Sequence, residues 1–200
     1  LNGGTHTPNE DIAALRAIPE MTIVDICDTV MAAKLLPQIA DTHGTFFIRY
    51  PRTSIPRVYD ESMEFQLGKS VQLRDGKDLT IIASGIEVSE ALDAAEVLAQ
   101  EGIEARVIDM FTIKPLDTDA VEAAAKETGA IVTAENHNVN GGLGSAVAEY
   151  RVEHCLVPME RVANMDRFGD VGSLRYLMDE YGLSFRFIVE KAKQVLKRKY

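Results

Sequence analysis

The alternation of apolar and polar positions is clearest between Leu79 and Tyr150, where short branched-apolar runs trade places with segments of helical spacing. Leu79–Ser84 (LTIIAS) reads as a parallel strand covered on both faces, and Gly85 ends it. Val88, Ala91, Leu92, Ala95, Leu98 and Ala99 then repeat on one helical face, with Glu87, Glu90, Asp93 and Glu96 largely elsewhere, and Gly102 stops that helix. Ala105–Asp109 (ARVID) is a second strand. Pro115 breaks the chain before a helix that buries Val121, Ala124 and Ala125 and stops at Gly129. Ala130–Ala134 (AIVTA) is a third strand. It runs into Glu135-Asn136-His137-Asn138, the loop Gly141-Gly142-Leu143-Gly144 and a helix over Ser145–Glu153. Strands alternating with helices at this spacing predict a parallel, right-handed α/β sheet.

The first 50 residues repeat the pattern on a smaller scale. Gly3-Gly4-Thr5-His6 forms a tight turn, and Asn9 or Thr7 caps a helix through Arg16 with Ile12, Ala13 and Leu15 facing inward. After Pro19, Met21–Ile26 is a strand, Asp28 or Thr29 caps a helix to about Ala40, and Thr45–Tyr50 is another strand. One such unit has too small a core to stand alone. The chain also opens on Leu1 in what reads as the middle of an element, so residues upstream are expected to be missing. Pro51, Pro56 and the polar stretch Asp60–Lys69 lack strong periodicity and read as a linker.

Composition narrows the function classes. With 46% hydrophobic and 26% charged residues the 200-residue chain can bury a core, and no apolar run approaches the roughly 20 residues that span a bilayer. A membrane is therefore not an expected partner. The formal net charge of -10 argues against nucleic acid, which requires a basic face. Lys191, Lys193, Lys197, Arg198 and Lys199 do form a basic patch, read as the solvated end of the last helix. Cys27 and Cys155 sit among apolar neighbours and read as free thiols in a reducing cytoplasm.

Four stretches taken together resemble the carboxyl part of transketolases, in order and with natural spacing: GGTHTPNEDIAALRAIPEMTIV, FFIRYPR, GIEARVIDMFTIKPLDTDAVEAAAKETGAIVTAENHNVNGGLGSAVAE and DRFGDVGSLRYLMDEYGL. The likeness is strongest to the separate C-terminal subunit of split transketolases. Single pieces are shared with deoxyxylulose-phosphate synthases and 2-oxo acid dehydrogenase beta subunits. The resemblance implies an incomplete pyrimidine-binding α/β domain over residues 1–56 and a linker over 57–76. It implies a C-terminal three-layer α/β/α domain with a mostly parallel sheet over 77–200. It further implies ketol transfer between sugar phosphates in the pentose phosphate pathway, with thiamine diphosphate and Mg as cofactors. The glutamate that activates the cofactor is expected upstream of Leu1, and the G-D-G metal motif on an N-terminal partner subunit. Self-association is expected too, and the chain alone is expected to be inactive. The alternatives are a deoxyxylulose-phosphate synthase or 2-oxo acid dehydrogenase beta subunit fragment, and a dimerisation module with no site of its own.

Few residues stand out as chemical candidates. By itself His6 is a turn histidine bonded to backbone; the resemblance makes it a substrate-binding histidine, able both to donate and to accept. Asn2 stands where many transketolases carry an Asp that reads a sugar hydroxyl, so its amide puts substrate preference in question. Arg52, just past a strand, matches by resemblance the arginine that grips the sugar phosphate, with Arg49 as its rival. Either is otherwise a surface ion pair worth at most about 1 kcal/mol. Glu135-Asn136-His137 before GGLG is where an open α/β sheet places an anion, but the spacing is not that of a dinucleotide site, and a polar network with tight glycines is the plainer reading. Asp166–Ser173 reads as an interface loop, and His43 and His154 have no partners at ligand spacing.

Overall fold

Two sheets divide the strands of the computed structural model, which describes residues 8–52 and 54–199. Helix α1 (Asp11–Arg16), strand β1 (Met21–Asp25), helix α2 (Thr29–Asp41) and strand β2 (Thr45–Arg49) form the first part. The second part runs β3 (Val71–Arg74), β4 (Leu79–Ala83), α3 (Glu87–Gln100), β5 (Ala105–Asp109), β6 (Thr112–Lys114), α4 (Thr118–Thr128) and β7 (Ile131–Asn138). It continues through α5 (Leu143–His154), β8 (Met159–Asn164), α6 (Leu174–Glu180) and α7 (Phe185–Leu196). The larger sheet has the order β3-β5-β4-β7-β8, parallel except for β3, which pairs antiparallel with β5. Helices α3 and α7 cover one face and α4 and α5 the other, the expected three layers.

The smaller sheet, β2-β1-β6, crosses the division between the two parts. Strands β1 and β2 are parallel, and β6, contributed by the second part, adds antiparallel to β1. In the sequence the run FTIKP is legible only as an approach to Pro115. Its pairing is anchored by Lys114 Nζ, which donates to the carbonyls of Arg16 at 2.8 Å and Ile18 at 2.6 Å. The hydrophobic cores follow the same course: Val24, Met31 and Leu35 pack with Ile81, Val107 and Phe111, while Ile12, Met21 and Ile23 pack with Ile82 and Ile113.

Local expectations fail where a distant partner replaces a local one. Asn9 does not occupy the cap of α1: Glu10 precedes the helix without a side-chain cap bond, and the other candidate, Thr7, lies outside the described residues. Only Ile12 of its three inward residues is fully buried. Asp28 does cap α2, accepting from the Met31 N–H at 2.8 Å. Its second oxygen accepts from the N–H groups of Val58 and Tyr59, each at 2.9 Å, which draws the 57–76 stretch onto the core. Tyr59 and Phe65 are buried there, with Phe65 edge-on to both Tyr59 and Phe111. Burying such aromatic side chains contributes about 1.5–3 kcal/mol each. Strand β3 also falls in this stretch, so it is a packed strap with a regular element; its irregularly spaced apolar residues give no period to read. Strand β7 runs four residues past Ala134, because the Asn138 N–H donates to the Asn9 carbonyl at 2.8 Å and Asn138 pairs with Asn164. Both cysteines are free, Cys27 buried and Cys155 half-buried, and among the described residues no helix is long and apolar enough to cross a membrane.

Candidate functional site

The chain passes from β4 to β5 on one side and later to β7 on the other, so the crevice at the carboxyl ends of β4 and β7 is the sheet's switch point, where open α/β sheets bind ligands. Here the first part of the chain fills it with its own side chains. Asp25 ends β1 and Arg49 ends β2, neighbours across the parallel ladder. Arg49 Nε donates to Asp11 Oδ2 at 3.0 Å, Nη1 reaches Asp25 Oδ2 at 3.5 Å, and Nη2 donates to the carbonyls of Pro8 at 3.2 Å and Asn136 at 3.0 Å. Ser84 Oγ, at the end of β4, donates to Asp25 Oδ2 at 2.9 Å. Gly85 turns the chain there at φ 54°, and a Cβ would lie 2.7 Å from both Asp25 oxygens, so this approach requires glycine. Burial pushes the Asp25 carboxyl up from its ordinary value, partly offset by Arg49 and Ser84. Burial also opposes the charge on Arg49, but Asp25 and Asp11 outweigh it and raise its pKa.

Behind this pair lies the polar network read from Glu135 and His137. The Leu143 and Gly144 N–H groups at the start of α5 donate to Glu135 at 2.6 and 2.8 Å. Burial nevertheless pushes Glu135 up to about 7, those two N–H groups holding it lower than burial alone would. His137 accepts from the Ala13 N–H through Nε2 at 3.4 Å, and its Nδ1 lies 2.8 Å from the Asn138 carbonyl, which can only accept. The ring is therefore the neutral Nδ1–H tautomer. Burial, which lowers its pKa, agrees, so its 3.6 Å approach to Asp11 is not an ion pair. At Gly142 a Cβ would sit 1.9 Å from Glu135 Oε2 and 2.7 Å from His137 Nδ1. Gly142→Ala is expected to lower stability by about 1–3 kcal/mol through overpacking, read as a drop in melting temperature. A melt equal to the parent's would show that Glu135 has room to move aside.

Beside the crevice opens a cleft of about 320 Å³. Its polar side carries Arg49, Arg52 and Asn136, and its apolar wall is built by Ile86 with Leu174, Met178 and Tyr181 from the α6 region. The loop Asp166–Ser173, read as an interface element, also reaches this cleft through Gly169, Asp170 and Gly172. The two arginines differ in what they can offer. Arg49 is occupied on both flanks of its fork, whereas Arg52 is exposed and, among the described residues, has no carboxylate partner. An anionic group entering the cleft finds in Arg52 an uncommitted guanidinium fork, suited to bidentate binding.

His6 and Asn2 lie outside the described residues, so their distance from Arg52 is not part of this geometry. His43 is exposed, and His154 stacks on Tyr150 at 4.2 Å, away from the cleft lining. Among the described residues no group of three or more His, Cys, Asp or Glu side chains is set to hold a metal. Sequence reasoning missed Asp25 and Ser84; the available signal was a carboxylate closing an otherwise apolar strand. It also missed Glu87, fully buried in the first turn of α3 with no hydrogen-bond partner for either oxygen.

Comparison with known proteins places this architecture. The family model described as the transketolase C-terminal domain matches residues 68–188. A 6-deoxy-6-sulfo-D-fructose transketolase subunit of Clostridium sp. (strain MSTE9) is 48% identical over 199 residues, covering 100% of this chain and 62% of the relative. An apulose-4-phosphate transketolase subunit of Phocaeicola vulgatus is 40% identical, covering 98% and 63%. The chain thus spans about three fifths of these curated relatives. Among solved structures, one described as a split gene transketolase, inactive beta4 tetramer, superposes with a TM-score of 0.92 at 37% identity, over 98% of this chain and 64% of that one. With that superposition and a family model spanning more than half its length, the chain belongs to the transketolase family through its C-terminal domain.

Proposed function

We propose that the chain works as the C-terminal subunit, or a part of it, of a split transketolase that transfers a two-carbon ketol unit between sugars bearing an anionic terminal group. Residues 1–56 are then the end of a pyrimidine-binding domain, and 77–200 the C-terminal domain. Arg52 supports this reading most directly: an exposed guanidinium without a carboxylate partner among the described residues, on the polar side of a cleft whose other wall is apolar. Its role is to anchor the far end of the sugar, with His6 and Asn2 contacting hydroxyls nearer the reacting carbon. Relatives named for a sulfo-sugar and for apulose-4-phosphate widen the expected substrates beyond the pentose phosphate pathway, since sulfonate and phosphate offer the same oxyanion to a guanidinium.

Transketolases use thiamine diphosphate, whose thiazolium carbon carries the ketol unit. The described residues do not fit that group. The glycine-rich start of α5 would be the natural anion cradle, but Glu135 already accepts from its Leu143 and Gly144 N–H groups. Cofactor and Mg would thus be held by other parts of the assembly, an N-terminal partner subunit among them, and the chain alone would be inactive. Its own contribution is to bind and orient the sugar.

The test is a complete assembly, reconstituted with a subunit carrying the diphosphate-binding domain. Arg52→Gln is expected to lower kcat/KM by about 10–100-fold, chiefly through KM, as loss of a charge-assisted contact does. Unchanged kinetics with intact assembly would favour a pure dimerisation module. A 1-deoxy-D-xylulose-5-phosphate synthase of Heliobacterium modesticaldum is also 36% identical over 199 residues. Turnover with pyruvate and not with ketose donors would favour that second reading.

A further inference from the structure

Far from the cleft, a groove of about 560 Å³ runs along the outer strand β8, between α5 and the end of α7. Arg151 comes from α5, Arg161 from β8 and Arg198 from the end of the chain, so three separate elements line it with arginine side chains. The groove also contains two carboxylates, and both are already engaged. Glu149 pairs with Arg16 at 2.6 Å, and Glu160 with Lys191 at 3.1 Å and with Arg198. Arg151 and Arg161 have no carboxylate partner among the described residues. Arg161 donates through Nη1 to the Val139 carbonyl at 2.9 Å, leaving the rest of its fork uncommitted. Arg151 donates to the Val157 carbonyl, while its buried Nε has no partner. Three arginines and two glutamates line the groove, and Arg16 and Lys191, outside the lining, pair with those glutamates, in a chain whose formal net charge is -10.

Such a concentration of like charge is repulsive unless an anion joins it. The site is also held in shape. A Cβ at Gly144 would lie 2.9 Å from Arg161 Cδ, so glycine at this helix position gives the arginine room to lie flat across α5. We infer that this groove binds a diphosphate group, its oxygens bridging the free part of the Arg161 guanidinium and the nitrogens of Arg198 other than Nη1, which Met159 and Glu160 hold, with Arg151 behind them. No aromatic side chain lines it, so a nucleoside attached to the diphosphate would not be read. The basic end of α7, legible in the sequence as a solvated helix terminus, is on this view one wall of a site. The groove and the cleft share no lining residue. The two sites are therefore separate.

Calorimetric titration of the intact chain with inorganic pyrophosphate tests the assignment, with inorganic phosphate and ADP as further arms. Saturable pyrophosphate binding is expected, weakened about tenfold or more by Arg161→Gln and by Arg198→Gln and also by added salt. Arg57→Gln, exposed and outside the lining of both the groove and the cleft, should leave it unchanged. Arg198 is exposed at a helix end, so its variant keeps the fold even if replacing Arg161 does not. ADP should bind as pyrophosphate does, and phosphate at least tenfold more weakly. Absence of saturable pyrophosphate binding would overturn the inference. So would binding that ignores Arg161 and Arg198, and so would a marked preference for ADP, which would mean that the base is recognised.

Discussion

Arg49→Met is expected to destabilise the chain by about 3–5 kcal/mol, the usual cost of removing one member of a buried ion pair. The physical reason is what is left behind. Asp25 and Asp11 lose their common cation, and the carbonyls of Pro8 and Asn136 lose their donor. Asp25 is the costlier orphan, because Ser84 Oγ is then its remaining hydrogen-bond donor in this network. Methionine preserves the packing of the arginine stem, so the loss reports the charge and its hydrogen bonds. For a chain of this size the melting temperature should fall by about 6–20 °C. Arg49→Lys should recover only part of it, since one ammonium cannot span acceptors from α1, β1 and β7. Segment-resolved hydrogen exchange should place the added opening where residues 8–49 meet β4 and β7. A melt within experimental error of the parent would mean that the crevice is not held by this arginine.

Stability should also rise as pH is lowered from about 8 to 5.5, opposite to the trend of most proteins. Burial pushes Glu135 and Asp109 each up to about 7, and raises Glu87 well above its ordinary value. Asp109 is held only partly lower by the Tyr59 hydroxyl, which donates to it at 2.8 Å. Among the described residues Glu87 has no donor, and Glu90, Asp25 and Glu135 add to the effect of burial. Between the ordinary carboxylate range and about 7 the folded chain holds protons that the unfolded chain has released, so folding stability falls as pH rises through that window. Each of Glu135 and Asp109 contributes on the order of 3 kcal/mol between the two limits. His137, whose pKa burial lowers, works in the opposite direction: its contribution is lost on acidification below the ordinary histidine value. The carboxyl groups outnumber it, so the net slope is downward with pH. Thermal melts across this range read it directly. Glu87→Met should stabilise the chain at pH 8 by about 1–3 kcal/mol and matter little at pH 5.5, because the cost removed is that of an unpartnered buried acid. A flat or rising stability profile between pH 5.5 and 8 would refute this account of the buried acids.

The sequence by itself determined the elements whose signals are local. The run LTIIAS, the stop at Gly102 and the αL glycine at Gly129 each specify their piece of α/β structure through neighbours a few residues away, and each element lies where those signals put it. The family was legible through the resemblance of four longer stretches, among them FFIRYPR and DRFGDVGSLRYLMDEYGL, to transketolases. What only the tertiary structure decided depends on partners far apart in the chain. Strand β6 is three residues long and exists because β1 lies beside it, some ninety residues earlier in sequence. Arg49 and Arg52 are equivalent on paper, three residues apart after the same strand. They part company because the Asn136 carbonyl and two carboxylates close around one and leave the other at the cleft. Glu87 reads as one more polar residue on the outer face of a helix, until α3 packs with that side inward. Propensity and capping act over one or two turns, whereas the fate of a charge is set by which distant groups share its desolvated surroundings. No local pattern carries that information.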